Sequence, residues 1–388
     1  MASVRRRTWK ATSGETKAAW VVDYADSRGV RQRKHYLSKK AADAFRIQVE
    51  GQMQAGTYRA AADKVTVKEV CESFLEHCAG RYERDERMTR KMLAVYKGHA
   101  SNHILHPDHG LGNRKLSQLT ARSVGDFRDR LRSAGVTVPT TRKILATLHS
   151  ALAYAVSQDW ISANAAHGTR VIGPRDEGSK KVVPPSKSDM GATLSGADED
   201  LRIKLTFAAS TGVRAGEQWA VRWRDVDLES GHLHIGRRVD AYGEEGVPKS
   251  AAGVRTVPIS SQLTAMLKTW KLRSKFKTPD DLVFPNDNGN HTSHDNLTKR
   301  RFGPLFDRLE AAYLRDPTRF PAPPRRFNWH ALRHFAVSSW IEAGFAPKTV
   351  QTFAGHASLQ VTMDRYGHLF PSDDHKRAMD QIAKGLFA

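Results

Sequence analysis

The chain has 388 residues, 39% of them hydrophobic and 27% charged, which is too long for one ordinary core and too apolar for disorder. Sixty-two Lys and Arg against 41 Asp and Glu leave a net charge of +21 and an isoelectric point near 10.1. A surplus of that size attracts polyanions, and nucleic acid is the commonest of these. No apolar run reaches the roughly 18 residues that span a bilayer. The basic start at Arg5-Arg6-Arg7 lacks the apolar stretch of a secretory signal. A cytoplasmic protein with no membrane partner is therefore expected. Cys71 and Cys78, seven apart on one helix face, suit buried reduced thiols better than a disulfide framework or a zinc site.

Residues 1–60 begin with two short alternating segments, Lys17–Tyr24 and Arg31–Leu37, joined by the turn-rich Asp26-Ser27-Arg28-Gly29. A helix follows from about Lys39 to Met53, with Ala42, Phe45 and Val49 at helical spacing. This small sheet with one helix is studded with Arg and Lys. Aromatic and basic residues on such a sheet suit a DNA groove, and a sheet of this size serves equally as a protein-binding module.

Residues 65–168 read as all-helical. Val67, Val70, Phe74 and Leu75 form one apolar stripe, Val124, Phe127 and Leu131 a second, and Ile144, Leu148, Leu152 and Val156 a third. Thr66 with Glu69 three residues on has the pattern of a capping box, and Trp160-Ile161 closes the last helix. Arg81, Arg84, Arg87, Arg90, Lys91, Arg142 and Lys143 occupy the polar faces. The stretch Gly173–Asp189, with Pro174, Pro184 and Pro185, is the best linker. Beyond it the texture is mixed: a helix over Glu199–Ser210, another from Gly216, strands at His232–Arg238 and Arg255–Ile259, then helices to the end. The fold class expected is multidomain α+β. A small sheet plus helix comes first, then an all-helical domain, then a mainly helical domain (174–388) with a small antiparallel sheet.

Four patches in the last domain carry polar residues that packing does not explain. Ser210-Thr211-Gly212-Val213-Arg214-Ala215-Gly216-Glu217 brackets an arginine between two glycines at a helix junction, where Gly212 can cap the first helix. An arginine fixed there is placed for two-pronged phosphate binding, although alone it reads as a surface residue. Pro248-Lys249-Ser250 precedes the strand Arg255–Ile259. In His330-Ala331-Leu332-Arg333-His334, His330 and Arg333 share a helix face. No glutamate follows His330 as a zinc protease would need, and His334 reads as a packed, satisfied core histidine. Last come Gly355-His356 and, ten residues on, Tyr366.

An Arg in a Thr-Gly-x-Arg-x-Gly-Glu box, a Lys before a strand, a His-x-x-Arg-His box, a Gly-His box and a Tyr ten residues later form one ordered set. It resembles the catalytic signature of the tyrosine recombinase, or phage integrase, family. Upstream, Asn102–Pro107, Leu111-Gly112, Leu116 and Leu119-Thr120 are similar to the family's helical core-site binding domain. That similarity puts His103, His106 and His109 in a loop and argues against a metal cluster there. By texture alone, residues 1–60 look like the arm-site binding domain of larger phage integrases. Phe353-Ala354 stands where a leucine pair is commoner, and Gln218-Trp219 where aliphatic residues are usual.

The resemblance implies a reaction. Attack on a phosphodiester gathers negative charge, and with no clear carboxylate cluster for metal ions, cationic side chains must meet it. Arg214 and Arg333 would clamp the non-bridging oxygens, His330 and His356 would add hydrogen bonds, and His330 would manage the tyrosine proton. Lys249 would protonate the leaving 5′ oxygen, Glu217 would orient its neighbours, and Tyr366 would be the nucleophile. The 3′-phosphotyrosyl bond stores the phosphodiester energy, so no cofactor and no ATP are expected. The implied partners are double-stranded DNA at core-type and arm-type sites, and three further copies in a homotetramer. A host DNA-bending protein and an excisionase complete the implied set. The tail Asp373–Leu386, with Met379, Ile382 and Leu386 at helical spacing, would pack on a neighbour or cap its own domain. A topoisomerase-like relative shares the same site, and a non-catalytic DNA-binding regulator is the alternative from another class.

Overall fold

The computed structural model describes residues 2–10, 12, 15–26, 29–175, 182–248, 250–319, 325–370, 379–380 and 382–384. It divides into two compact units, residues 1–177 and 178–388.

The first unit opens with β1 (Ser3–Lys10), β2 (Thr16–Ala25) and β3 (Arg31–Tyr36), an antiparallel sheet in the order β1-β2-β3. The first strand is absent from the reading by pattern. Its residues from Arg5 to Lys10 are all exposed, so it shows no alternation. It forms because it pairs in register from Ser3 to Lys10 with β2, which is buried from Ala19 to Tyr24 apart from a partly covered Trp20. The turn before β3 is closed by a Gly29 amide donating to the Asp26 carbonyl at 2.9 Å; Ser27 and Arg28 lie outside the described residues. Helix α1 (Lys39–Gln54) is capped by Ser38 and lays Ala42, Phe45 and Val49 against Val22, Tyr24 and Tyr36. The opposite sheet face carries Arg5, Arg7 and Trp9 on β1 and Arg31, Arg33 and His35 on β3. Between them the buried Asp23 accepts from Arg5 and Arg33, each at 2.8 Å, and the Arg33 hydrogen bond holds its carboxyl below the usual range.

A separate core of the same unit gathers α2 (Val67–Glu83), α3 (Arg90–His99), α4 (Ala121–Ser133) and α5 (Val138–Ser157). The Thr66–Glu69 capping box is present, with the Thr66 amide donating to Glu69 at 2.7 Å. Val67, Val70, Phe74, Val124, Phe127, Leu131, Ile144, Leu148 and Leu152 are buried in it. A wholly buried phenylalanine such as Phe127 is worth about 3–5 kcal/mol against alanine. Three details differ from the pattern. Val156 is 37% exposed and belongs to no stripe, because it falls in the last turn of α5. That helix stops at Ser157, Asp159 turns the chain at φ 57°, and the Trp160 amide folds back onto the Ala155 carbonyl. Helix α3 was hidden by its charged start, Arg90-Lys91, and it runs on into a π-helical turn over Ala100–Ile104. His103 lies in that turn, not in a loop, while His106 and His109 follow with their rings stacked 3.9 Å apart. Cys71 and Cys78 are free and buried, and burial pushes the Cys71 thiol up to about 12.

The second unit contains α6 (Lys187–Gly196), α7 (Glu199–Thr211), α8 (Ala215–Gln218), β4 (Val226–Asp227), β5 (His232–Ile235), β6 (Arg238–Val239), β7 (Glu245–Gly246) and β8 (Arg255–Pro258). After these come α9 (Ser261–Arg273), α10 (His294–Leu297), α11 (Gly303–Arg315), α12 (His330–Glu342), α13 (Pro347–Ala354) and α14 (Leu359–Tyr366). One small sheet has the order β4-β5-β8, and β6 with β7 forms a separate hairpin. The strand expected over His232–Arg238 thus breaks after Ile235, and Arg238 opens the hairpin. The main core joins Leu205, Phe207, Trp219, Leu233, Val257 and Leu332; a second cluster holds Val337, Ile341, Val350, Ala354 and Tyr366. In the tail, Met379 and Ile382 are exposed, and Leu386 lies outside the described residues. No helix among the described residues is long and apolar enough to cross a membrane.

Candidate active site

Helix α7 ends on Gly212 at φ +62°, in the left-handed region. A Cβ there would also come within 2.7 Å of Trp340 on α12, so both backbone and packing require glycine. The turn throws Arg214 out as the residue before α8. Its backbone amide donates to Glu217 Oε2 at 2.9 Å and its guanidinium to Glu217 Oε1 at 2.8 Å.

Three arginines from three segments meet at the C-terminal end of α13. Arg255 of β8 donates to the Phe353 carbonyl at 2.7 Å, Arg333 of α12 to the Ala354 carbonyl, and Arg214 to the Gly355 carbonyl at 3.1 Å. These carbonyls are the ones a helix leaves unpaired at its end, where the dipole also favours cations. Arg333 donates in addition to the Gly212 carbonyl at 2.6 Å, the cap of α7. Gly355 sits at φ +62°, and a Cβ on it would fall 2.8 Å from the Arg255 guanidinium and 2.9 Å from the Ala252 carbonyl. Glycine lets the Gly-His turn lie directly on the arginine.

Glu217 is buried and is the carboxylate among these groups. Burial alone pushes its carboxyl up, but Arg255 at 2.8 Å and Arg214 outweigh it, and the group is held below its usual range. Three guanidiniums against one carboxylate leave the cluster strongly positive. Burial, then Arg214 and Arg255, push Arg333 down to about 9, so it stays charged at neutral pH. Its side chain is 3% exposed with the residue, whereas that of Arg214 is 41% exposed. Of the two arginines, Arg214 is therefore the one open to solvent.

Tyr366, the last residue of α14, is wholly buried. Burial raises its phenol, against a downward pull from Arg333, Arg365 and Arg214. Its hydroxyl shares a 2.5 Å hydrogen bond with His334 Nδ1. His356 stacks on the phenol ring, 6.1 Å between centroids at 16°, and its Nδ1 shares a 2.9 Å bond with the buried Thr362 hydroxyl. Burial, with Arg333 and Arg214 next, pushes His356 down to about 3. His330 stands at the start of α12, edge-on to His334 at 4.8 Å, and burial lowers it too. These imidazoles are neutral at pH 7, acting as hydrogen-bonding groups and not as cations.

Arg214, Glu217, His330, Arg333, His356 and Tyr366 thus come from separate stretches of chain into one cluster. Lys249 lies outside the described residues. Pattern reading missed two members. Arg255 occupies the inward phase of β8 together with Val257, and an arginine in an apolar phase was the available signal. His334 is half-buried and bonded to the phenol, where a merely satisfied core histidine was expected. Its signal was the position directly after Arg333 and one helical turn from His330.

Residues 190–373 match the phage integrase family. A tyrosine recombinase XerC-like protein of Caldanaerobacter subterraneus subsp. tengcongensis is 26% identical over 314 residues, 74% of this chain and 76% of that protein. The ICEBs1 integrase of Bacillus subtilis is 25% identical over 293 residues, 73% of this chain and 74% of that one. Among solved structures, the Tn1549 transposon integrase in complex with transposon right end DNA aligns with a TM-score of 0.64 at 18% identity, covering 82% of this chain and all of that one (100%). A lambda integrase dimer bound to a COC' core site aligns with a TM-score of 0.53 at 17% identity, covering 92% and 93%.

Proposed function

The chain belongs to the phage integrase family of tyrosine recombinases, and from that premise we propose that it is a site-specific DNA recombinase with Tyr366 as nucleophile. The observation that carries this reading is the anchoring of Arg214, Arg255 and Arg333 on one helix end beside a buried tyrosine. A guanidinium has five N–H donors in a rigid fork. Arg333 gives two of them to carbonyls, which fixes the plane in which the others meet a phosphate. Arg214 and Arg333 stabilise the charge that grows on the non-bridging oxygens, and preorganised donors of this kind are worth about 10²–10³ in rate each. His356 and His330 add neutral donors. Glu217 holds Arg214 in place, and Lys249 protonates the departing 5′ oxygen, the role its box has in the family.

The phenol oxygen forms a bond to phosphorus as the bond to the 5′ oxygen breaks. A 3′-phosphotyrosyl intermediate results, which a second 5′ hydroxyl resolves without added energy. Exchange between two duplexes breaks four strands, so four tyrosines are needed and a homotetramer is the assembly proposed. Lambda integrase has been seen as a tetramer bound to a Holliday junction. Residues 174–388 form the catalytic domain and 65–168 the core-site domain in this reading. The basic sheet face of residues 1–60 is assigned to arm-type sites, supported by Arg5, Arg7, Trp9, Arg31 and Arg33 on the side away from α1. The relatives named as integrases favour a phage or other mobile element as the source of the DNA that is joined, within the cytoplasm, with a bending protein and an excisionase as accessory partners.

The test is an adduct assay. Protein and nicked duplexes from DNA flanking its own gene are mixed without divalent metal, and SDS-stable complexes are compared with those of Tyr366→Phe. Adduct with the wild type alone is expected. Tight, specific binding with no adduct on any tested strand break would overturn the catalytic reading in favour of a regulator.

A further inference from the structure

The resemblance gives the tyrosine proton to His330, whereas the neighbours of the hydroxyl point to a different atom. His356 runs nearly parallel to the phenol ring with 6.1 Å between centroids and its Nδ1 engaged by Thr362, and the hydroxyl is bonded by His334 instead. His334 Nδ1 is 2.5 Å from the phenol oxygen, in the geometry of a direct proton transfer. His330 lies one helical turn earlier, edge-on at 4.8 Å, on the way out of the cluster.

We propose that His334 is the proton acceptor for Tyr366, with His330 the next residue along the route by which that proton leaves. The assignment rests on the recombinase reading of the site. In cleavage, the Oη–P bond forms and the P–O5′ bond breaks. The phenol proton passes to His334 Nδ1, and the electron pair of the broken bond leaves on O5′, which takes a proton from Lys249 or water. Rejoining runs in reverse: a 5′ hydroxyl attacks and gives its proton to Lys249 or water, P–Oη breaks, and the proton on His334 passes to the departing phenol oxygen.

The charges around His334 explain why the pair is idle without DNA. Its own helix supplies His330 and Arg333, and α14 supplies Arg365 and Tyr366. Burial first, then His330, Arg365 and Arg333, hold the imidazole down to about 4, while burial raises the phenol. Ground-state transfer is thus steeply uphill. A phosphate anion among the arginines offsets their field, and the phenol oxygen loses basicity as it bonds to phosphorus. A weak acceptor then suffices, and only while the nucleophile is engaged.

The experiment is single-turnover cleavage of a half-site bearing either an ordinary phosphodiester or a 5′-bridging phosphorothiolate, whose leaving group needs no acid. Wild type, His334→Asn and His334→Ala are compared, after each variant is shown to bind the half-site like wild type. Asparagine keeps an acceptor near the Nδ1 position without basicity, and His334→Gln stands in if that variant misfolds. The expected result is a rate lower by at least about 100-fold in both Asn and Ala variants on both substrates, with the acid limb of the wild-type pH–rate profile lost. An Asn variant at wild-type rate beside a slow Ala variant would make His334 a positioning residue and overturn the assignment. Full rescue by the phosphorothiolate would place His334 on the leaving group and also overturn it. A wild type with no Tyr366-dependent adduct overturns the recombinase reading and the assignment together; a normal wild type with an unimpaired Asn variant overturns the assignment alone.

Discussion

In the N-terminal sheet Arg5, Arg6 and Arg7 lie exposed along one strand, whereas in the second unit Arg255 and Arg333 are buried and anchored on backbone carbonyls, Arg255 also on Glu217. The two settings ask different things of one side chain. An exposed guanidinium on a strand supplies charge, screened by salt and replaceable by another cation. A buried one supplies a direction: its desolvation is offset only by the carbonyls and carboxylate that hold it, and a lysine cannot reproduce the fork. The lesson is that net charge of +21 says little about mechanism until it is sorted by burial.

The sharpest way to break this contrast is Arg333→Lys. Cleavage measured in a single turnover should fall by about 10²–10³-fold with core-site affinity nearly unchanged. Activity within a few-fold of wild type would mean that charge alone is used there too. A smaller effect is expected from Arg7→Gln with Arg31→Gln on the exposed sheet face, which spare the buried Asp23 and its partners. Each should lower the slope of log affinity against log salt for arm-type DNA by about one and leave core-site cleavage intact. An unchanged slope would remove DNA from that face.

The smallest effect concerns stability. His356 at about 3 and His334 at about 4 sit below the ordinary histidine value of 6.5, and His99, His103, His109, His294 and His330 shift the same way. The unfolded chain therefore binds more protons than the folded one as pH falls below about 6.5. Stability is full above that value and is lost progressively toward 4. Thermal melts between pH 7.5 and 5 should show Tm falling with pH, a window above the titration of carboxylates such as Glu217. A flat Tm would mean that these imidazoles are solvated when folded.

Much of the site could be read in the sequence because its members stand in short words with glycines whose geometry is demanding. Gly212 and Gly355 mark helix ends, with Arg214 two residues after the first and His356 directly after the second. Arg255 went unread although it stands in the Lys249 patch, at the head of its strand; the phase of β8 and a partner 38 residues earlier, Glu217, reveal it. His334 is satisfied, as expected, but by Tyr366, a partner 32 residues on that the helix pattern does not disclose. In the fold, amphipathic helices were plain, but β1 and α3 begin with runs of cations that erase any period. Such elements are held by what they pair with, which a single segment does not disclose.

The end of α13 has one more consequence, for the lengths the chain can tolerate. Three consecutive carbonyls, of Phe353, Ala354 and Gly355, each receive a different arginine from a different stretch of chain. One residue inserted or removed just before them would rotate all three by about 100° about the helix axis and unseat every anchor in one step. The tip of the β6–β7 hairpin, around Ala241 to Gly243, is exposed and its backbone amides bond to Asp240 within the same turn, so a change of length there leaves the arginine anchors in place. Among relatives of this chain, gaps should therefore gather at the hairpin and be missing from the eight residues ending at His356.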